Sequence, residues 1–395
     1  MLSLWSNSPK ELTESIYYTF DDHFGRATPS YQPREVIYDY IITRAKLADI
    51  RKYIRFQTIV RFVDLEGQQF KMTVENLNSN IIETLTFDHV IVAAGRYSTP
   101  EIPEFNGMSS FPGRILHSKY FRDAGEFINE HVLIIGSGPS AEDIALQLYK
   151  FGARFVTISY RTEPMGYKWP DKKIVEVPLL VRMEGRIAHF LDSTTSREEI
   201  DSIILCTGYR YYYPFMAKNL RLECPPKVLY PPNLYKGIFW IDQPNLIYLG
   251  MQKLLFAFTM FDVQALFVRN VILGGIVLPD LKTRQHDIEQ WQAREAAVKP
   301  DGGLGNFHFR IDYMLDLLKQ CYSTPPFDIN RIIAGEREVG EHKQDNILTY
   351  RDYCFPSALT GKRFLPTPNR LSWLKNMDDS LEGFLRTEAM AEDLV

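Results

Sequence analysis

Residues 136–141 read Gly-Ser-Gly-Pro-Ser-Ala, a spacing that cradles a diphosphate. The first glycine permits a tight turn, the second lets backbone approach the anion, and a small third residue keeps helix against strand. The pyrophosphate then rests on the free N–H groups at the start of a helix. Gly136 and Gly138 are therefore candidate cofactor contacts. A site for NAD wants an acid at the end of the following strand. Here that place holds Ser159-Tyr-Arg161-Thr162. A guanidinium suits the 2′-phosphate of NADPH, which it can grip with two parallel hydrogen bonds.

The elements that must position these residues are legible around them. An apolar run at 132–135 predicts a strand, 140–150 a helix closed by Gly152, and 154–159 a second strand, making one βαβ unit. Upstream, Val36, Ile37, Tyr40, Ile41 and Ala45 follow Pro33 at helical spacing. Runs at 53–64, 69–76 and 81–87 read as an antiparallel ribbon. Residues 90–94 predict a fully buried strand ending at Gly95, and 203–205 another before Cys206-Thr-Gly208. Helical spacing recurs at 258–273, 311–318 and 373–385.

Bulk properties narrow the function. The chain has 395 residues, enough for two domains. It is 45% hydrophobic and 24% charged, as expected of a globular protein. A formal net charge of −4 gives no basic excess for nucleic acid. Cys206, Cys224, Cys321 and Cys354 lack CxxC spacing, which argues against a zinc site, a dithiol centre or a disulfide framework. They suit a reducing compartment, so the cytoplasm is expected. No signal peptide is visible, and Lys253, Asp262 and Arg269 interrupt the most apolar stretch, so no membrane span is expected.

The motifs flanking the glycine loop carry a family resemblance. Phe111-Pro-Gly113-Arg-Ile-Leu-His117-Ser-Lys-Tyr-Phe121 resembles the flavin-containing monooxygenase signature FxGxxxHxxxF/Y, and Cys206-Thr-Gly208-Tyr209 resembles that family's later TGY element. Ala93-Ala-Gly95 followed by Pro100 resembles the earlier one. Segments at 4–7, 30–36, 51–56, 159–170, 234–237 and 377–385 are similar to the bacterial-type trimethylamine monooxygenases within that family. The resemblance runs from residue 1 to about 387.

It implies an α/β fold with two Rossmann-like dinucleotide-binding domains. Residues 1–128 and 206–395 would form a discontinuous FAD-binding domain, with an NADPH-binding domain inserted at 129–205. Residues 1–31 hold no apolar strand and no GxGxxG, so the FAD domain is expected to be N-terminally truncated, without its first βαβ unit. NADPH would reduce FAD, which activates O2 to oxygenate a soft nucleophile, an amine nitrogen or a sulfide sulfur. By the same resemblance, Asn7 would be catalytic and touch both flavin and nicotinamide, with Trp5 a neighbour on the NADPH side. Val60 would meet the FAD adenine, and Gln252 the flavin. Ser140, Arg161, Thr162 and Arg351 would contact NADP. His117 suits a structural or hinge role, since its motif adjoins a linker.

Lys253-Leu-Leu255 departs from the acid and tryptophan that the trimethylamine enzymes carry, and Lys253 would oppose an ammonium-type substrate. A homodimer is the assembly left open. The alternative is a truncated, non-catalytic family member that binds NADPH or a partner but not FAD. A disulfide reductase relative is disfavoured by the absence of CxxC.

Overall fold

The structure, a computed structural model, describes residues 4–225, 228–252, 256–298, 303–321, 327–366, 370–386 and 389–393. It divides into two compact units. One comprises Met1–Arg44, Pro100–Gly208 and Pro326–Val395, and the other Ala45–Thr99 and Tyr209–Pro325.

The first unit is built on a five-stranded, all-parallel sheet. Its order is Arg114–His117, Ser202–Leu205, His131–Ile135, Phe155–Ser159 and Ile174–Val177. Of the three inner strands, His131–Ile135 and Ser202–Leu205 are buried along their whole length because both faces are covered, which is why they read as apolar runs. On one face the helix Pro139–Lys150 packs Ala141, Ile144, Ala145 and Leu148 over Val132, Ile134, Val156 and Ile158. On the other, Leu133, Ile135, Ile203 and Leu205 meet Met183, Ala188 and Phe190 of the hairpin Leu180–Glu184/Ile187–Phe190. This helix–sheet–hairpin stack is a layered α/β arrangement. The helices Arg34–Leu47 and Ile329–Asp345 lie in the flanking segments of the chain.

In the second unit Thr58–Glu66, Gln69–Asn76 and Ile81–Phe87 form the expected antiparallel ribbon. The first strand begins five residues later than its composition suggests, because Ile50–Tyr53 closes a 3-10 turn. A four-stranded sheet runs Leu234–Tyr235, Phe239–Trp240, Leu246–Tyr248, Val90–Val92, its last pair parallel. Ile91, expected to be buried, is 45% exposed while Val90 and Val92 are buried, since successive side chains point to opposite faces and only one face of this strand is covered. The helices Ala257–Ile272, Leu281–Ala296 and Gly303–Cys321 complete this unit.

The helix expected over 373–385 is reduced to Leu381–Leu385. Asp378 accepts hydrogen bonds from Ser380 N and Oγ, making a turn, and Ser380 then caps the short helix through Gly383 N. No helix among the described residues is long and apolar enough to cross a membrane.

Candidate functional site

The glycine loop joins the strand His131–Ile135 to the helix Pro139–Lys150, and its two glycines do different work. Gly136 has φ +111°, and a side chain there would overlap the backbone carbonyl of Cys206. Its N–H donates to Ser159 O at 2.8 Å, so the chain passes close between two neighbouring strands. Gly138 has φ −91°, and a β-carbon on it would meet nothing within 4 Å. That glycine is exposed, and it caps the helix without a side-chain hydrogen bond. Pro139 occupies the first turn, Ser140 is exposed, and Ala141 is fully buried against the sheet. An uncapped helix start with open space over its glycine is a ready anion site.

Ser137 Oγ donates to Glu163 O at 3.1 Å, tying the loop to the segment after the second strand. Arg161 and Thr162 stand exposed on that segment. The Arg161 guanidinium makes no ion pair among the described residues, leaving a bare cation beside the loop's second strand. These residues fit NADPH: an anion cradle, and a guanidinium where the 2′-phosphate needs one.

Two acids follow Ala141 in the same helix, and both are matched. Glu142 accepts from Lys343 Nζ at 2.8 Å, Tyr167 OH at 3.0 Å and Tyr350 OH at 3.3 Å. Asp143 accepts from Arg351 Nη2 at 2.6 Å and from Asn7 Nδ2 at 3.2 Å. Burial, opposed by Arg351, pushes the Asp143 carboxyl up to about 6. Arg351 is itself only 2% exposed, packed over the rings of Tyr350 and Trp373 at 4.7 and 4.8 Å. Its Nε donates to Ser6 O at 3.3 Å. The structure thus places Arg351 behind Asn7, engaged with protein groups.

Asn7 is exposed at the end of a short segment pinned along residues 32–34 by Ser6 N to Gln32 O (2.8 Å) and Arg34 N to Leu4 O (3.1 Å). Trp5 is buried. Its indole N–H donates to Asp379, its edge meets Phe384, and Lys150 lies over its ring at 5.8 Å. Burial brings the Lys150 ammonium down to about 8.

His117 Nε2 bonds the Gly208 carbonyl at 3.0 Å, and Nδ1 accepts from Lys119 N at 3.1 Å. One nitrogen donating and one accepting is the neutral ring, and burial lowers its pKa. Together with the Thr207 hydroxyl on Glu101 O, this bond fastens the two signature segments to each other.

In the other unit, Val60 is half-buried opposite Val74, just before a β-bulge, and packs on the core that includes Val63, Phe70 and Val90. Gln252 is 4% exposed, and both ends of its amide are taken. Nε2 donates to Gly237 O, and the oxygen accepts from Gln264 Nε2 at 2.8 Å. Gln264 also meets Tyr313 OH, and Lys236 pairs with Asp287 and Asp316 beside them. Lys253, Leu254 and Leu255 lie outside the described residues. A second strand–glycine loop–helix unit of the Gly136 kind is not among those residues.

Sequence reasoning missed Glu142, Asp143 and Lys343. The signal available was a pair of acids directly after the glycine loop, where an anion is to bind, which demands counter-charges from elsewhere.

The strand, glycine loop and helix, with an arginine after the second strand, define a nucleotide-binding α/β protein. Residues 1–167 and 173–329 match the family described as flavin-binding monooxygenase-like, and the chain belongs to it. It is 45% identical to a trimethylamine monooxygenase of Methylocella silvestris, over 98% of this chain and 85% of that one. The crystal structure of Tmm from a Pelagibacter species superposes with a TM-score of 0.91 at 42% identity, covering 96% of this chain and 84% of that one. An S-allyl-L-cysteine S-oxygenase from Allium sativum gives 0.77 at 25% identity, covering 89% and 80%. The chain is accordingly a flavin monooxygenase that works with FAD and NADPH. No comparison favours the non-catalytic alternative.

Proposed function

We propose that this monooxygenase oxygenates the nitrogen of a small tertiary amine, using NADPH and O2. The observation that carries the reading is the identity of 45% over 98% of the chain to an enzyme named for trimethylamine. Lys253 lies in the region where the trimethylamine enzymes differ from this chain, so the proposal is of a substrate class, with trimethylamine as its first member to test.

In this reading residues 129–205 are the NADPH-binding domain, and 1–128 with 206–395 serve FAD. Gly138 and the N–H groups from Ser140 onward hold the pyrophosphate, while Arg161 and Thr162 hold the 2′-phosphate. Asn7 offers its amide to the nicotinamide, with Trp5 packing its segment in place. Val60 lies on the adenine side of FAD. Gln252, its amide spent internally, shapes the flavin wall through Gly237 rather than by a free side chain. FAD, when bound, supplies the activation of oxygen; the chain supplies binding, orientation and exclusion of water.

The test is to purify the protein, record the flavin absorption bands, and follow NADPH oxidation and N-oxide formation with trimethylamine, larger tertiary amines and dialkyl sulfides. Amine-stimulated turnover with stoichiometric N-oxide supports the proposal. Turnover that only sulfides raise would replace the amine with sulfur, and consumption of NADPH into hydrogen peroxide with every compound would refute both.

A further inference from the structure

The reaction proposed above gives Asn7 a task, and its surroundings determine how it performs it. Asn7 is exposed, which leaves a side-chain amide free to rotate unless something holds it. Asp143 does so from the second turn of the nucleotide-loop helix, with its Oδ2 3.2 Å from Asn7 Nδ2. The other oxygen, Oδ1, receives Arg351 Nη2 at 2.6 Å. Arg351 also donates from Nε to Ser6 O, the carbonyl directly before Asn7. One buried arginine therefore grips both the backbone at Asn7 and the acid that grips its side chain.

We propose that Asp143, held by Arg351, is a positioning residue that fixes the direction of the Asn7 amide. The inference rests on the role given to Asn7 in the proposed reaction. A carboxylate only accepts hydrogen bonds, so Asn7 must turn its NH2 toward Asp143 and its carbonyl oxygen away. The group offered outward is then an acceptor with one remaining N–H beside it. That pattern complements a primary carboxamide, which has both a donor and an acceptor. An amide flipped by half a turn would aim its oxygen at the Asp143 carboxylate, and two acceptors facing one another repel.

The pair also explains why an acid is tolerated near a phosphate site. Arg351 neutralises Asp143, so the helix start keeps its attraction for an anion. Arg351 is packed between aromatic faces and only 2% exposed, and its reach to Asp143 and Ser6 uses the fork of the guanidinium, which a lysine lacks.

The test uses holoenzyme carrying Asn7→Ala, Asp143→Asn, both changes together, or Arg351→Lys. Two quantities are read: the Kd for NADP+ by titration calorimetry, and hydrogen peroxide released per NADPH consumed. Asn7→Ala is expected to raise Kd about tenfold and to raise peroxide release. Asp143→Asn should reproduce a three- to tenfold rise in Kd with the same leak, and the double variant should be no worse than Asn7→Ala. Arg351→Lys, a guard against Asp143→Asn failing to fold, should move both readouts the same way by two- to fivefold. Effects of Asn7→Ala and Asp143→Asn that multiply in the double variant would overturn the proposal. So would an Asp143→Asn protein that keeps the parent's Kd and coupling while Asn7→Ala loses them. If Asn7→Ala changes neither quantity, the role of Asn7 itself falls, and the positioning role with it.

Discussion

The two loop glycines give the sharpest test, because the structure assigns them opposite consequences for the same substitution. Gly136→Ala places a methyl on a residue with φ +111°, outside the region that L side chains adopt readily, and drives it into the Cys206 carbonyl. The backbone strain costs about 1–3 kcal/mol, and overpacking against a fixed neighbour about as much again. The neighbour cannot retreat, since Cys206 N bonds Ile135 O at 2.8 Å and Gly136 N bonds Ser159 O at 2.8 Å. A loss on the order of 3–5 kcal/mol should lower Tm by about 10 °C.

Gly138→Ala meets neither obstacle, with φ −91° and open space around the new methyl. Its stability should match the parent's or exceed it by about 0.5 kcal/mol, through a stiffer unfolded chain. Its NADPH affinity should fall at least ~10-fold, a loss of about 1.4 kcal/mol, because the methyl fills the space the pyrophosphate needs. Thermal unfolding and fluorescence titration of NADPH on both variants decide the matter. A Gly138→Ala protein that binds NADPH as tightly as the parent would refute the cradle, and a Gly136→Ala protein with the parent's Tm would refute the crowding.

Arg161→Ala should raise the KM for NADPH about 10–100-fold, the worth of a charge-assisted pair of hydrogen bonds, and leave that for NADH unchanged; equal constants for both cofactors in parent and variant would remove Arg161 from the site. Glu14 is buried and its pKa stands at about 7, raised by desolvation, with Phe20 N and Ser357 Oγ on its carboxylate. A folded-state pKa above the unfolded one adds stability at low pH, and that stability drains away as pH rises from about 4.5 to about 7. Stability in urea should therefore fall by an amount on the order of 3 kcal/mol across that window, and Glu14→Gln should flatten the slope; a parent slope of zero, or a rising one, would contradict the assignment.

Much of the strand, glycine loop and helix was legible because the pattern is local. Gly136, Gly138 and Ala141 sit within six residues, and the apolar strands around them are short, continuous and bounded by turns. The ribbon strands Gln69–Asn76 and Ile81–Phe87 fall where composition and turn residues put them. The helix Leu281–Ala296 was not anticipated, and it buries only Ile288 and Trp291, which leaves little periodicity to read. The apolar spacing at 373–385 misled for a different reason. Trp373 is buried by the cations Lys150 and Arg351 over its ring and by Asp352 accepting its backbone N–H, contacts that hold it without a helix. The ion pairs Glu142–Lys343 and Asp143–Arg351 join residues some two hundred positions apart, so spacing along the chain carried no trace of them.

Those two pairs bear on how the loop can serve an anion at all. Acids early in a helix are stabilised by its dipole, yet the same field is what draws a phosphate to the helix start, so acid and ligand compete for it. Two bare carboxylates there would oppose a diphosphate by several kcal/mol at the separations found within about one helical turn. Lys343 and Arg351 cancel one acid each, and both come from the segment after residue 327. Neutralised, Glu142 and Asp143 are released from electrostatic duty and become anchors. Glu142 gathers Lys343, Tyr167 and Tyr350, while Asp143 gathers Arg351 and Asn7. In the proposed reading the glycine loop supplies the anion site, while the cations that keep it attractive to an anion, Lys343 and Arg351, both come from the segment after residue 327.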